Sequence, residues 1–304
     1  MLCRNICWYE TSKEYFRACR VESWSGWMFI FGLGSILFDL PPFQRVIMFF
    51  LAFSLATSSI YVLNQYFDRE ADRENEVKFD LPVASGRITA GRALIFSILL
   101  VMICFILVLM ADTRLSPLFL AYLGLWTIYS APPLRLKTVP IVDFAVSGLG
   151  AGFLPFLIGL DASSQLSANV SSIVFSAIPL MLFQSGGHII QAVGDYEADR
   201  KTGVQTFVVR YGKKKAVAVA GIMFLAAALL PFMYLALGLL SLGHLLLSFI
   251  LLPLSIPVGT HYVDLFRDPS TRNVIQLHKI ARKHGTIALA IIWTYILLTK
   301  ITGF

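Results

Sequence analysis

Residues 216–263 contain no Asp, Glu, Lys or Arg. At 48 residues this run is more than twice what an α-helix needs to cross the hydrocarbon core of a bilayer, roughly 20 residues. It must fold as two helices, and the stretch Gly238 to Gly243 is where it divides. Other uncharged runs fall at 23–38, 46–67, 93–111, 115–134, 144–160, within 162–194, and at about 285–299. The first and fifth hold only 16 and 17 residues, so flanking residues must help them to span. With 57% hydrophobic and 14% charged residues and a mean hydropathy of +0.73, a 304-residue chain cannot hide its apolar surface inside a water-soluble globule. An all-α, polytopic membrane protein with nine transmembrane helices is expected, as a single domain over 1–304.

Charge in the connections tests that count. With the N-terminus in the cytoplasm, the inner segments hold 22 Lys and Arg and the outer ones only Arg45, Arg114 and Lys300. Such asymmetry supports nine spans with the N-terminus inside. The excess of 25 basic over 18 acidic residues is then assigned to segments facing an anionic leaflet, and no nucleic-acid partner is expected. Cys3, Cys7, Cys19 and Cys104 form no CxxC pair, which speaks against a structural zinc or a disulfide framework. The scattered charges of the first twenty residues, without a compact apolar run and cleavage site, do not read as a signal peptide.

Two short acidic patterns carry the chemistry. NQYFDREAD ends the second span and places Asn64, Asp68 and Asp72 at steps of four, on one face if the helix continues. QAVGDYEAD follows the sixth span and places Asp195 and Asp199 four apart, with Gln191 where the first motif has asparagine. The two lie 127 residues and four spans apart, so both face the cytoplasm and the chain reads as a parallel internal repeat. Motif-bearing cap loops are expected at about 68–92 and 195–215. Neighbouring ion pairs with Arg69, Arg73 or Arg200 would explain one acidic pair alone. They do not explain its recurrence on one side of the membrane. Four converging carboxylates repel one another unless cations sit between them. All-oxygen ligands favour Mg²⁺, which completes its shell with water and phosphate oxygens. A phosphorylated ligand with a greasy tail, such as a prenyl diphosphate, meets both the metal and the apolar spans.

At these motifs the chain resembles the UbiA superfamily of intramembrane prenyltransferases, over essentially its whole length. The first family signature matches Asn64, Asp68, Asp72, Pro82, Ser85, Gly86 and Arg87, and the second matches Asp195, Asp199, Arg200, Lys201, Gly203 and Thr206. Where many relatives carry arginine before the proline, this chain has Leu81, so phosphate contact there falls to Lys78. The resemblance implies nine helices around a central cavity with a lateral opening to lipid. It also implies an isoprenyl diphosphate donor and two Mg²⁺ ions bridged by that diphosphate. One ion would be held by Asp68 and Asp72 with Asn64, the other by Asp195 and Asp199.

Between the motifs, YSAPPLRLK offers Tyr129, Arg135 and Lys137 at the inner end of the fourth span, and Arg20 precedes the first span. These four, with Lys78, Asn64 and Lys201, are the expected substrate-binding residues. Positive-inside topology and interfacial snorkelling are the competing explanations. His188 and Gln184 lie inside the sixth span, where interhelical hydrogen bonding explains them as well as a site does. His278 and His284 are read as part of a basic loop, and Asp143 and Asp161 as boundary residues. The expected reaction is Mg²⁺-assisted ionisation of the donor and transfer of the isoprenyl chain to a lipophilic acceptor. An aromatic or quinone precursor, a glycerophosphate lipid intermediate and a tetrapyrrole are the candidate acceptors, and YSAPPLRLK resembles the last two branches more. The alternatives are a membrane transporter, or a prenyl diphosphatase that uses water as acceptor.

Overall fold

A backbone in hydrocarbon must satisfy its own hydrogen bonds, so uncharged runs are constrained to helix. The structure, a computed structural model, describes residues 12–36, 43–75, 77–162, 170–238 and 242–302, and no strand occurs among them. Residues 12–18 are helical. The long helices that follow among the described residues are α1 (Val21–Ile36), α2 (Phe43–Arg73), α3 (Ala90–Ala111), α4 (Ser116–Ser130), α5 (Val142–Ala162), α6 (Val170–Thr202), α7 (Lys213–Ala236), α8 (Leu242–Arg267) and α9 (Thr271–Thr302). Five of them, α2, α3, α5, α6 and α7, are long and apolar enough to cross a membrane.

Helix ends correct several boundaries read from charge alone. The uncharged run 115–134 does not make a twenty-residue span: α4 stops after 15 residues at Ser130, because Pro132 and Pro133 cannot continue it. α2 runs through Arg73 and α6 through Thr202, so both acidic motifs ride on the last turns of long helices and the connections begin at 74 and 203. Gly203, at φ +75°, ends α6 in a conformation that side chains with a Cβ resist. The short helix Phe207–Tyr211 follows. His278 and His284 lie on α9 rather than in a loop.

Helices pair closely: α3 runs along α2, α7 along α6, α5 along α1 and α9 along α8. The α1–α5 crossing depends on glycine. A Cβ on Gly34 would sit 2.2 Å from the Phe156 carbonyl oxygen, and one on Gly159 would sit 1.9 Å from that of Phe31. α3 buries Ala93, Ser97, Leu100, Cys104 and Val108 and turns Ile95, Leu99, Met102, Ile106 and Met110 outward. An outer face this apolar suits lipid and not water. The ionic groups of α2 lie near its ends. Arg45 donates to the Ala162 carbonyl at 2.8 Å and pairs with Asp112 at 2.9 Å. Asp68 lies 23 residues further on, roughly 35 Å at the helical rise, about a bilayer core away.

Candidate active site

A cavity of about 350 Å³ takes its wall from α1, α2, α4, α5 and α6. Arg20, Asn64, Asp68, Asp72, Lys78, Tyr129, Arg135, Lys137, Asp195 and Asp199 all line it. Of the expected metal- and substrate-binding residues, Lys201 does not; it is exposed on the last turn of α6. The two acidic motifs, 127 residues apart in the chain, thus meet across one space.

Their charge partners are not the neighbours that helix spacing offers. Arg69 donates to the Tyr66 carbonyl and pairs with Glu70, and Arg73 donates to the Ala84 carbonyl at 2.8 Å. Asp68 instead takes Arg135 at 2.9 Å and, in a close ion pair, Lys137. Asp195 takes Lys78 at 2.8 Å and the Asn75 amide at 3.2 Å. Among the described residues no hydrogen bond or ion pair reaches the carboxylates of Asp72 and Asp199, which face the cavity. Each motif therefore presents one neutralised and one free carboxylate.

The two lysines differ in their balance of forces. Burial alone would pull the Lys78 ammonium down, but Asp195 and Asp72 outweigh it and hold its pKa above the ordinary lysine value. At Lys137 burial outweighs the attraction of Asp68, and its pKa lies below that value. Arg20 and Arg135 adopt φ +50° and +38°, a costly conformation for residues with a Cβ and one that concentrates at functional sites. Arg20 projects over the Tyr61 ring, 5.6 Å from its centroid. The Nε of Arg135 is buried without a hydrogen-bond acceptor. An unmet donor on the cavity wall is what an arriving phosphate oxygen would satisfy.

Deeper in the cavity the Asn64 amide donates to Ser130 Oγ at 3.1 Å, and the Tyr129 hydroxyl shares a hydrogen bond of 3.1 Å with His188 Nε2. Below these, Trp27 stacks on Trp126 with centroids 4.9 Å apart.

A family model for the UbiA prenyltransferase family matches residues 25–280. The chain belongs to that family. It is similar to the lycopene elongase/hydratase of Halobacterium salinarum, 29% identical over 74% of this chain and 78% of the relative. It is also similar to the digeranylgeranylglyceryl phosphate synthase of Pyrococcus horikoshii, 26% identical over 70% of this chain and 74% of the relative. Its fold is that of a UbiA homolog from Archaeoglobus fulgidus bound to GPP and Mg²⁺, at a TM-score of 0.72 and 20% identity, covering 93% of this chain and 99% of that one. The protein is a UbiA-type prenyltransferase, which answers the transporter alternative.

The residues of this prenyltransferase suit a divalent cation that brings ligands of its own. Among the described residues, no three His, Cys, Asp or Glu side chains form a ready-made metal cage. Mg²⁺ does not require one, since it binds through one or two carboxylates and substrate phosphate oxygens. The free carboxylates of Asp72 and Asp199 match that demand, and neither acidic motif holds a Cys or His.

Sequence reading missed several contributors. Asp143, taken as a boundary residue, is 1% exposed, and its Oδ2 accepts the Phe207 amide hydrogen at 2.8 Å. It thereby fixes the short helix after motif two, beside Thr206, which lines the cavity. Asn75 and Trp27 carried no signal beyond ordinary composition. His188 did carry one, as a polar group inside an apolar span.

Proposed function

We propose that the protein binds an isoprenyl diphosphate at the cavity mouth, ionises its allylic C–O bond and joins the prenyl carbon to a lipophilic acceptor. The observation that carries this reading is the convergence of the two acidic motifs on one cavity, each with one basic-paired and one free carboxylate. Asp68 and Asp72 with Asn64 would hold one Mg²⁺, and Asp195 and Asp199 a second, with the donor diphosphate between them. When bound, Mg²⁺ neutralises the charge that grows on the departing diphosphate.

The rest falls to the chain's own side chains. Arg135, Lys137 and Lys78 screen the carboxylates from one another. When the donor arrives, these cations turn to phosphate oxygens, and Arg20 and the free Nε of Arg135 add donors. Lys78 supplies the cation that Leu81 does not. Lys201 would reach only a group outside the cavity. Tyr129, tied to His188, stands one step below Asn64 and Ser130, at the level where the allylic carbon follows the diphosphate. Ile60, Trp27, Trp126 and Ala151 supply an apolar wall at the deep end, where the prenyl carbon would meet the acceptor.

The same reading takes the nine helices as nine spans of a single domain, with the N-terminus and the motif-bearing connections cytoplasmic. The pairing of α2 with α3 recurs as α6 with α7, which supports a parallel repeat. Its test is incubation of the purified protein with Mg²⁺, labelled geranyl diphosphate and a panel of aromatic, glycerophosphate and tetrapyrrole acceptors. A prenylated product that vanishes with chelator is expected; full turnover in metal-free buffer would refute the reading.

A further inference from the structure

Below the carboxylates, the α6 wall of the cavity is polar although it belongs to an apolar span. Gln184, His188 and Gln191 follow one another at steps of four and three, share one face of the helix and all line the cavity. Interhelical hydrogen bonding does not account for the two amides, which make no hydrogen bond among the described residues. Gly187 lines the same wall, and a Cβ there would meet nothing within 4 Å outside its own stretch of chain, so space is left open beside His188.

His188 is placed for more than recognition. It lies seven residues before Asp195, two turns or roughly 10 Å along α6. Its Nε2 shares a hydrogen bond of 3.1 Å with the hydroxyl of Tyr129, a buried residue whose ring meets Trp126 edge-on at 5.1 Å. Of the described side chains that line the cavity, only the four motif carboxylates and His188 can take up a proton near neutral pH. Asp68 and Asp195 are engaged by cations, and Asp72 and Asp199 are the carboxylates offered to Mg²⁺. That leaves His188 as the base below the diphosphate. A base reached through a tyrosine hydroxyl serves an O–H, whose proton can travel along hydrogen bonds; a ring C–H offers no such path.

We propose that the Gln184–His188–Gln191 face, with Tyr129, is the acceptor subsite, that the acceptor bears a hydroxyl and is alkylated on its oxygen, and that His188 is the general base. The allylic C–O bond breaks and its electron pair leaves with the diphosphate, while a lone pair of the acceptor oxygen forms a new C–O bond to the prenyl carbon. The acceptor O–H bond breaks as its proton moves to the Tyr129 oxygen, the Tyr129 proton moves to His188 Nε2, and the imidazolium releases it to water at the cavity mouth. The amides of Gln184 and Gln191 hold further polar groups of the acceptor. The inference rests on the reading of the cavity mouth as a diphosphate site, and it goes beyond that reading by naming the acceptor class and the base.

The test follows labelled geranyl diphosphate with Mg²⁺ and the full-length protein, offered a long-chain glycerol ether phosphate, a long-chain primary alcohol and a 4-alkylphenol, each beside its O-methyl ether. The wild type should form an ether with at least one hydroxyl probe and with none of the O-methyl ethers. His188→Gln keeps a hydrogen-bond acceptor for Tyr129 but takes up no proton, so the ratio of ether to geraniol, the product of water, should fall at least about hundredfold. Tyr129→Phe breaks the relay and should move that ratio in the same direction, and it serves if His188→Gln does not fold. A ratio that stays within about threefold of wild type, with ether and geraniol declining in parallel, overturns the base and returns His188 to a packing role. Geraniol as the sole product with every probe, alkylation at carbon, or product from an O-methyl ether overturns the acceptor class. Absence of Mg²⁺-dependent donor breakdown in the wild type instead overturns the diphosphate reading on which the subsite depends.

Discussion

Asp68 and Asp72 are one helical turn apart and face the same cavity, yet Asp68 is held by Arg135 and Lys137 while Asp72 has no basic partner among the described residues. Asp68→Asn leaves two cations without their counter-charge and should lower unfolding stability by about 1–3 kcal/mol. Asp72→Asn should leave thermal unfolding in detergent within about 0.5 kcal/mol of wild type. Equal losses would mean that the ion pairs carry no stability. Lys137→Ala should raise the donor KM and lower kcat, because a phosphate partner of roughly 1.5–3 kcal/mol is lost. Unchanged steady-state kinetics would leave Lys137 a partner of Asp68 only. The acids were legible in the sequence because their spacing and recurrence are local patterns. Their partners were not paired with them in advance: Lys137 is 69 residues from Asp68 and Lys78 is 117 from Asp195, separations that only folding closes. The left-handed backbone of Arg20 and Arg135 has no sequence signature at all.

At the scale of the element, helices were legible wherever charge was missing, since hydrocarbon admits little else. Their ends were less so. Basic residues at 271–283 mark exclusion from hydrocarbon, and α9 simply continues as helix beyond it, which a charge count reads as loop. The α1–α5 crossing was not visible either, because glycines in membrane helices are common and only the partner backbone shows which are required. Gly159→Ala would drive a Cβ to 1.9 Å from the Phe31 carbonyl oxygen and force the helices apart. A loss of about 1–3 kcal/mol or more is expected from thermal unfolding. Gly124→Ala, whose Cβ meets nothing within 4 Å, should be neutral or slightly stabilising. Equal behaviour of the two variants would contradict the crossing.

For the whole molecule, the meeting of the two acidic motifs was readable from their matching spacing, but the depth and floor of the cavity were not. Those depend on which aromatic residues of α1, α2 and α4 meet, and aromatic residues occur throughout the chain. The central claim is that both acidic motifs serve one diphosphate. Asp72→Asn and Asp199→Asn each keep shape and delete the free carboxylate of one motif, so each should cut kcat/KM by at least about two to three orders of magnitude. The decisive measurement is the same constant for the double variant, with folding checked by thermal unfolding. If the motifs act as a unit, the double variant should be little worse than either single one, because each half is useless without the other. Losses that multiply would show two independent sites and contradict the shared-site account.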